Sequence, residues 1–196
     1  MNVKHLIKII LCPLQSTRFH IKNREGQLYI GRACKVVNGE KMYFGKNVSV
    51  MPHTMLVCHS SSEGIIFGNG VEIGMYSRIA SQGKIEIGEN VFTGPHVFIA
   101  DYNHEYRDVE VPIKKQGDMI SPTEKFSRGG IQIGAETWIG TNVVIAGSIS
   151  IGKHCVIGAN SVVTKDIPDY CVAVGCPCKV IKKYNFEKKI WENSEV

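Results

Sequence analysis

One histidine in this sequence stands where it could do acid–base chemistry. His104 lies between Asn103 and Glu105 in a long, mostly polar segment, residues 101–130, DYNHEYRDVEVPIKKQGDMISPTEKFSRGG. An imidazole titrates near neutral pH, so its neutral form can take a proton from a hydroxyl under physiological conditions. The simpler alternative is a solvated histidine in a polar loop, and residue types alone do not decide between the two.

The segment interrupts a regular repeat, which must position the histidine. Across residues 131–164 an aliphatic residue recurs every six positions, and a small residue follows almost every one. The aliphatic positions are Ile133, Ile139, Ile145, Ile151, Ile157 and Val163. Helices return their apolar residues every three or four positions, so this period excludes a helix. It predicts an all-β fold, a parallel β-helix in which three six-residue units close one coil of about 18 residues.

The repeat also sets the predicted domain boundaries. We expect an N-terminal cap over residues 1–43, the β-helix over 44–168 with the loop 101–130 protruding, and a C-terminal extension over 169–196. Apolar residues on one helical face of residues 1–14 predict a short capping helix, or a basic amphipathic segment on an anionic membrane surface. The tail YNFEKKIWENSEV predicts a second short helix.

Charge and cysteine content exclude some functions. The net charge is +5, but residues 1–24 hold five basic residues and no acidic ones, so the remaining chain is neutral. A nucleic-acid binder would carry a basic stripe across the folded domain, so we expect no such partner. The seven cysteines are scattered, which favours a reducing cytoplasm, and Cys171, Cys176 and Cys178 match no common zinc spacing. Cys155 occupies an inward repeat position and is expected to be buried.

Several motifs in order resemble one enzyme family. DYNHEYRD, VPIKKQG, IQIGAETWIGTNVVIAGSISIG, VIGANSVVTKDIP and AVGCPCKVIKKY, within residues 65–184, resemble the hexapeptide-repeat O-acetyltransferases that act on maltose, galactosides and surface polysaccharides. The resemblance implies a left-handed parallel β-helix, a homotrimer with sites between subunits, and His104 as general base. The acetyl group of acetyl-CoA would pass directly to a hydroxyl of a sugar, with no metal and no covalent acyl-enzyme.

The same resemblance assigns the residues for acetyl-CoA, and polar and aromatic residues around His104 are candidates for contact with the acceptor. Those expected to bind acetyl-CoA are Trp138, Thr141, Ala146, Ala159, Thr164, Lys165, Lys179 and Lys182, with Lys183 beside them. Those expected to contact the acceptor are Asp101, Tyr102, Asn103 and Tyr106. Two departures from the usual pattern affect the CoA contacts: Asn160 stands where glycine is usual, and Cys176 and Cys178 replace the common Asn and Ala.

Other readings of the sequence remain open. A xenobiotic O-acetyltransferase of the same superfamily would use identical chemistry on a different acceptor. A zinc carbonic anhydrase shares the β-helix but needs three converging histidines, and His96 and His104 have no evident third partner. A non-catalytic scaffold would need no histidine loop. We expect a cytoplasmic enzyme of surface-polysaccharide synthesis, with peripheral membrane contact through the basic N-terminus as a further hypothesis.

Overall fold

A computed structural model of the chain describes residues 17–120 and 129–194. Its first coils contain β1 (Asn23–Arg24), β2 (Leu28–Ile30), β3 (Lys35–Val37), β4 (Met42–Phe44), β5 (Val48–Val50) and β6 (Met55–Cys58). The next coils contain β7 (Gly64–Phe67), β8 (Glu72–Ile73), β9 (Arg78–Ser81), β10 (Lys84–Ile87), β11 (Phe92–Thr93) and β12 (Phe98–Ala100). A 3-10 helix (Gly39–Lys41) precedes β4.

An excursion from the coils follows β12. It holds β13 (Asn103–His104), the short helix α1 (Ile113–Gln116) and β14 (Asp118–Met119). The coils resume with β15 (Gly130–Ile133), β16 (Trp138–Ile139), β17 (Val144–Ala146), β18 (Ile149–Ile151), β19 (Val156–Ile157) and β20 (Val162–Val163). The chain continues through β21 (Cys171–Val174), β22 (Lys179–Asn185) and β23 (Ile190–Asn193).

The strands of the coils form three sheets in a triangular prism. The first, second and third strand of each coil belong to sheets A, B and C respectively, and each pairs in parallel with its equivalent in the next coil. The described residues complete six such coils, and β21 adds a partial seventh to sheet B. The predicted parallel β-helix is confirmed.

The core consists of the aliphatic residues of the repeat. Ile139, Ile145 and Ile157 are fully buried, and the other predicted inward positions of residues 131–164 are at most 2% exposed. Cys155 is also buried, as its place in the repeat predicts. Each coil is too thin to enclose an apolar interior alone, so stacking of equivalent side chains supplies the core.

Close approach of the backbone explains the small residue after each aliphatic one. A Cβ at Gly140 would lie 2.7 Å from the backbone nitrogen of Ala159 in the next coil, and one at Gly134 would lie 2.4 Å from that of Lys153. The left-handed backbone conformation occurs two residues later, at Asn142 (φ 58°) and Asn160 (φ 60°). Asparagine tolerates this conformation better than most residues, so Asn160 fits its corner.

Two predicted elements differ from the structure. The coils begin before residue 44, because β1, β2 and β3 already pair in parallel with β4, β5 and β6. The tail is not helical: β22 and β23 form an antiparallel hairpin that extends sheet B beyond the last coil. No residue of β22 or β23 is buried, and Ile190 and Trp191 of β23 are exposed.

Some of the predictions concern residues outside the described ranges. The predicted helix over residues 1–14, with its membrane contact, and residues 121–128 of the loop lie outside the described residues. No helix within residues 17–120 and 129–194 is long and apolar enough to cross a membrane.

Candidate active site

The excursion leaves the prism at the corner between sheets C and A. It starts directly after Ala100, which ends β12, and its two ends meet again where β13 pairs antiparallel with β14. The backbone N–H of Glu105 donates to the carbonyl of Gly117 at 3.0 Å, which continues this pairing. Gly117 has φ 86°, a left-handed conformation that glycine adopts without strain. The segment between is thereby closed into a loop.

The register of this hairpin places a carboxylate opposite the candidate base. His104 pairs directly with Asp118, and Nδ1 of the imidazole lies 2.7 Å from Oδ1 of the carboxylate. A proton on Nδ1 donates to Asp118 and leaves the Nε2 lone pair free to accept one. The His104 side chain is 76% exposed, so Nε2 is accessible to a substrate. This is the geometry of a histidine base oriented by a carboxylate.

The neighbouring carboxylate does not compete for the imidazole. Glu105 binds the guanidinium of Arg107, with Oε1 2.8 Å from Nε. Hydrogen bonds from the Arg107 side chain lower the pKa of Glu105 to about 2. Glu105 is therefore a poor proton acceptor at neutral pH.

Asp101 is buried at the start of the loop, where the scaffold holds its carboxylate. It is 1% exposed, and its carboxylate accepts from the Ser81 hydroxyl at 2.8 Å and from the backbone N–H groups of Gln82 and Gly83 at 2.8 and 3.0 Å. Burial raises the pKa of Asp101, against the lowering effect of these hydrogen bonds. Because the scaffold engages both oxygens, this geometry favours a structural role for Asp101, and the acceptor contact stays a prediction.

The other predicted acceptor residues differ in accessibility. The hydroxyl of Tyr102 lies 3.1 Å from Nε2 of His59, and the two rings meet edge to face, so Tyr102 is half-buried and held. Asn103 is exposed beside His104, and Tyr106 is 61% exposed. Tyr106 and Asn103 are the members of this set that can reach a ligand without rearrangement.

The predicted acetyl-CoA residues occupy two corners of sheet C. Thr141 and Ala159 lie at the corner between sheets B and C, where the Asn160 N–H donates to the Thr141 carbonyl at 2.9 Å. Ala146 ends β17 at the other corner, where Thr164 and Lys165 follow β20. Four residues lie between Thr141 and Ala146, and because Asn142 is in a turn, the distance between the two is less than the roughly 17 Å of a fully extended chain. One chain therefore does not bring all five together, and only the second group shares the corner from which the excursion leaves.

The basic residues of β22 divide between two faces. Lys179 and Lys182 pair with Val174 and Val172, the outward-facing residues of β21, whereas Lys183 pairs with the buried Cys171. Paired residues on adjacent strands point to the same side of a sheet. Lys179 and Lys182 thus share the outer face of sheet B, and Lys183 points to the opposite side.

Trp138 also lies on the outer face of sheet B. Its ring stacks on that of Phe92 in the preceding coil, with centroids 5.8 Å apart and planes within 10°. Both side chains are nearly half exposed, 46% for Trp138 and 47% for Phe92. Residues paired on successive strands form a column on this face, which runs from Trp138 through Val156 and Val172 to Lys182. An aromatic surface and a cation therefore share the outer face of sheet B.

Two residues of the site were missed in the sequence. Asp118 lies fourteen positions from His104, and only the hairpin register brings them together. Gln82 belongs to a coil before the excursion, and its side-chain amide donates to Oδ2 of Asp118. The sole sequence signal for either was Gly117, which favours a chain reversal before Asp118. Within the described ranges, His, Cys, Asp and Glu side chains form no group of three that could hold a metal.

Comparison with known proteins places the repeat in a family. The model for the bacterial transferase hexapeptide, six repeats, matches residues 130–165. The chain is 34% identical over 167 residues to WbbJ of Escherichia coli strain K12, named as an O-acetyl transferase of lipopolysaccharide biosynthesis, covering 82% of this chain and 81% of the relative. It is 33% identical over 178 residues to a Mycobacterium tuberculosis H37Rv protein named as an acetyltransferase, covering 89% of this chain.

The chain covers different shares of the lengths of these relatives. It spans 55% of the length of the Mycobacterium tuberculosis relative. Among solved structures, a maltose O-acetyltransferase from Clostridium difficile 630 is 26% identical, with a TM-score of 0.53 over 93% of this chain and 89% of that chain.

Proposed function

This chain belongs to the hexapeptide-repeat O-acetyltransferases, and we propose that it transfers the acetyl group of acetyl-CoA to a hydroxyl of a sugar. Its fold is accordingly the left-handed parallel β-helix. The observation that carries the proposal is the accessible His104 held at 2.7 Å by Asp118 on the family's loop. The names of relatives that act on lipopolysaccharide and maltose support a sugar of a surface polysaccharide, or its precursor, as acceptor.

The proposed reaction needs one base and no covalent acyl-enzyme. Nε2 of His104 removes the proton of the acceptor hydroxyl while its oxygen attacks the thioester carbonyl of acetyl-CoA. Asp118 stabilises the imidazolium that forms. The tetrahedral intermediate then expels the CoA thiolate, which receives the proton from His104, so the products are an acetyl ester and free CoA. No cysteine is required as nucleophile, and burial raises the pKa of Cys58 to about 11.

We propose that acetyl-CoA lies along the solenoid with its nucleotide phosphates near Lys179 and Lys182. An exposed ammonium group suits a phosphate, and these two share one face. Thr141, Ala146, Ala159, Thr164 and Lys165 would line the pantetheine arm. Because they occupy two corners, the proposal requires that one copy supplies one corner and its neighbour the other.

A homotrimer fits this requirement. Exposed large hydrophobic side chains lie on sheets B and C and at their common corner, including Phe92, Phe98 and Trp138, whereas the described strands of sheet A present none. Contiguous exposed apolar surface marks interaction sites. The oligomeric state is measured by sedimentation equilibrium, for which we expect three copies and would count a monomer as contradiction.

The function is tested by acetyl-CoA-dependent thiol release over a panel of acceptors. The panel contains mono- and oligosaccharides, lipid-linked sugars and, as a competing class, xenobiotic alcohols. We expect release with a sugar, and the acetyl ester identified on that sugar by mass spectrometry. Turnover of xenobiotic alcohols alone would show that the acceptor is a xenobiotic and not a sugar. Absence of any CoA binding would contradict the acetyltransferase activity and favour a non-catalytic scaffold.

The basic N-terminal segment carries a separate proposal. Residues 1–24 hold five cations and no anion, which suits an anionic lipid surface. Flotation with phosphatidylglycerol vesicles should then depend on these residues, and equal flotation of a chain lacking them would remove the proposal.

A further inference from the structure

His104 has little packing to hold it, so polar contacts must fix its orientation. Its side chain is 76% exposed and that of Asp118 is 30% exposed. An exposed side chain samples several rotamers unless hydrogen bonds restrict it. The order of His104 therefore depends on the order of Asp118, and the question becomes what holds Asp118.

Among the described residues of the solenoid, one side chain, that of Gln82, is hydrogen-bonded to Asp118. One carboxylate oxygen, Oδ1, faces His104, and the other, Oδ2, accepts a hydrogen bond from Nε2 of Gln82. With both oxygens engaged, the carboxylate plane cannot rotate without breaking one contact. Gln82 itself is only 8% exposed, so its side chain is confined by its surroundings.

The backbone of Gln82 is fixed independently of its side chain. Its N–H donates to Oδ1 of Asp101 at 2.8 Å, within the buried set of hydrogen bonds at the turn between β9 and β10. The Ser62 hydroxyl donates to that of Ser81 at 2.9 Å, and Ser81 donates in turn to Asp101. A rigid part of the β-helix thus presents the Gln82 amide to the excursion.

We propose that Gln82 is a positioning residue for acyl transfer, which fixes Asp118 and thereby the Nδ1–H tautomer of His104. The inference rests on the proposed function, because it concerns the same base. Gln82 reaches the dyad from the coils, and so it couples the catalytic loop to the scaffold. A terminal amide donor meets this requirement, since its N–H binds the carboxylate without adding a charge.

The test uses Gln82→Met and Gln82→Glu in the full-length protein. Methionine keeps the length and most of the volume but cannot donate, and glutamate presents an oxygen to Oδ2. In both variants the backbone N–H of residue 82 still binds Asp101, so the turn is preserved. We expect kcat to fall about 10- to 100-fold, the effect of losing a hydrogen bond to a charged group, with KM for acetyl-CoA unchanged.

A matched control separates positioning from general loosening of the loop. Gln116 is a second glutamine whose amide stabilises the excursion, donating to the carbonyls of Asp108 and Val111 at 2.7 and 2.6 Å. These side-chain hydrogen bonds go to residues other than His104 and Asp118. Gln116→Met should leave kcat within about twofold of the wild type, since its loss affects the distal part of the loop.

The decisive readout is the tautomer of His104, measured by ¹⁵N NMR with His104→Ala for assignment. In the wild type the neutral ring should carry its proton on Nδ1, and in Gln82→Met the Nε2–H form should gain population. An unchanged tautomer and kcat in Gln82→Met, or the same losses in Gln116→Met, would overturn the proposal. If His104→Ala remains active, the proposed base fails, whereas the tautomer shift still tests the Gln82 contact by itself.

Discussion

The coils at residues 131–164 and the excursion at residues 101–120 differ in what holds their side chains. In the coils, Ile139 and Ile145 are fully buried and each stacks on its equivalents. In the excursion, Val109 is 90% exposed, and order comes from hydrogen bonds such as those of Gln116. The difference indicates that stability depends mainly on the coils. Since the proposed function places the chemistry in the excursion, substitutions in the two regions should have separable effects.

The largest expected effect on stability comes from the core of the coils. Ile145→Ala leaves a cavity between stacked coils and should lower the free energy of unfolding by about 2–5 kcal/mol. Val144→Ala, in the same strand but facing outward, is the matched control and should cost less. Urea denaturation measures both. Equal losses of stability in the two variants, or a fall in kcat of the folded Ile145→Ala protein, would contradict the separation of stability in the coils from chemistry in the excursion.

A corner glycine should give an intermediate effect. Gly140→Ala would place a Cβ 2.7 Å from the backbone nitrogen of Ala159, so the coils must shift. Such overpacking typically costs about 1–3 kcal/mol. At Gly26 the nearest atom to an added Cβ is the flexible Cγ of Lys46 at 3.2 Å, so Gly26→Ala serves as control. In thermal unfolding, Gly140→Ala should have a lower Tm than Gly26→Ala. The reverse order would contradict the explanation by close approach of the backbone.

The smallest expected effect concerns cofactor affinity on the outer face of sheet B. Removing the charges of Lys179 and Lys182 together, as Lys179→Gln and Lys182→Gln, should raise KM for acetyl-CoA roughly 2- to 30-fold, because exposed ion pairs contribute about 0.2–1 kcal/mol each. Lys183→Gln is the control, since Lys183 faces the other side. An equal rise of KM in that control would show that the effect comes from the overall positive charge and not from a phosphate site on the outer face.

The two regions were also unequally predictable from the sequence. The six-residue period identified the fold and the buried positions, because every coil repeats one packing environment, as at Ile139 and Ile157. The weaker early repeats hid β1 to β3, where the pattern of aliphatic and small residues is irregular. The tail was predicted as a helix, whereas it forms the β22–β23 hairpin, which β22 joins to β21 of the last coil.

The candidate site was less predictable because it depends on register between distant segments. His104 could be singled out by residue type and by resemblance. Predicting its partner Asp118 would have required the register of the β13–β14 pairing. Predicting Gln82 would have required knowing which turn of the neighbouring coil faces the excursion. Asp101 was predicted to contact an acceptor because it is a carboxylate near the candidate base, whereas its burial and three hydrogen-bond donors favour a structural role.

The most direct test of the central claim compares two histidine–carboxylate pairs of this chain. His104 is paired with Asp118, and His154 on the solenoid is paired with Glu136, its Nδ1 3.1 Å from Oε2. The rate of acceptor-dependent thiol release should fall by about 10²–10⁴ in His104→Ala, the contribution of a general base. It should stay near the wild-type value in His154→Ala. Wild-type rates in His104→Ala, or equal losses in both variants, would contradict the account.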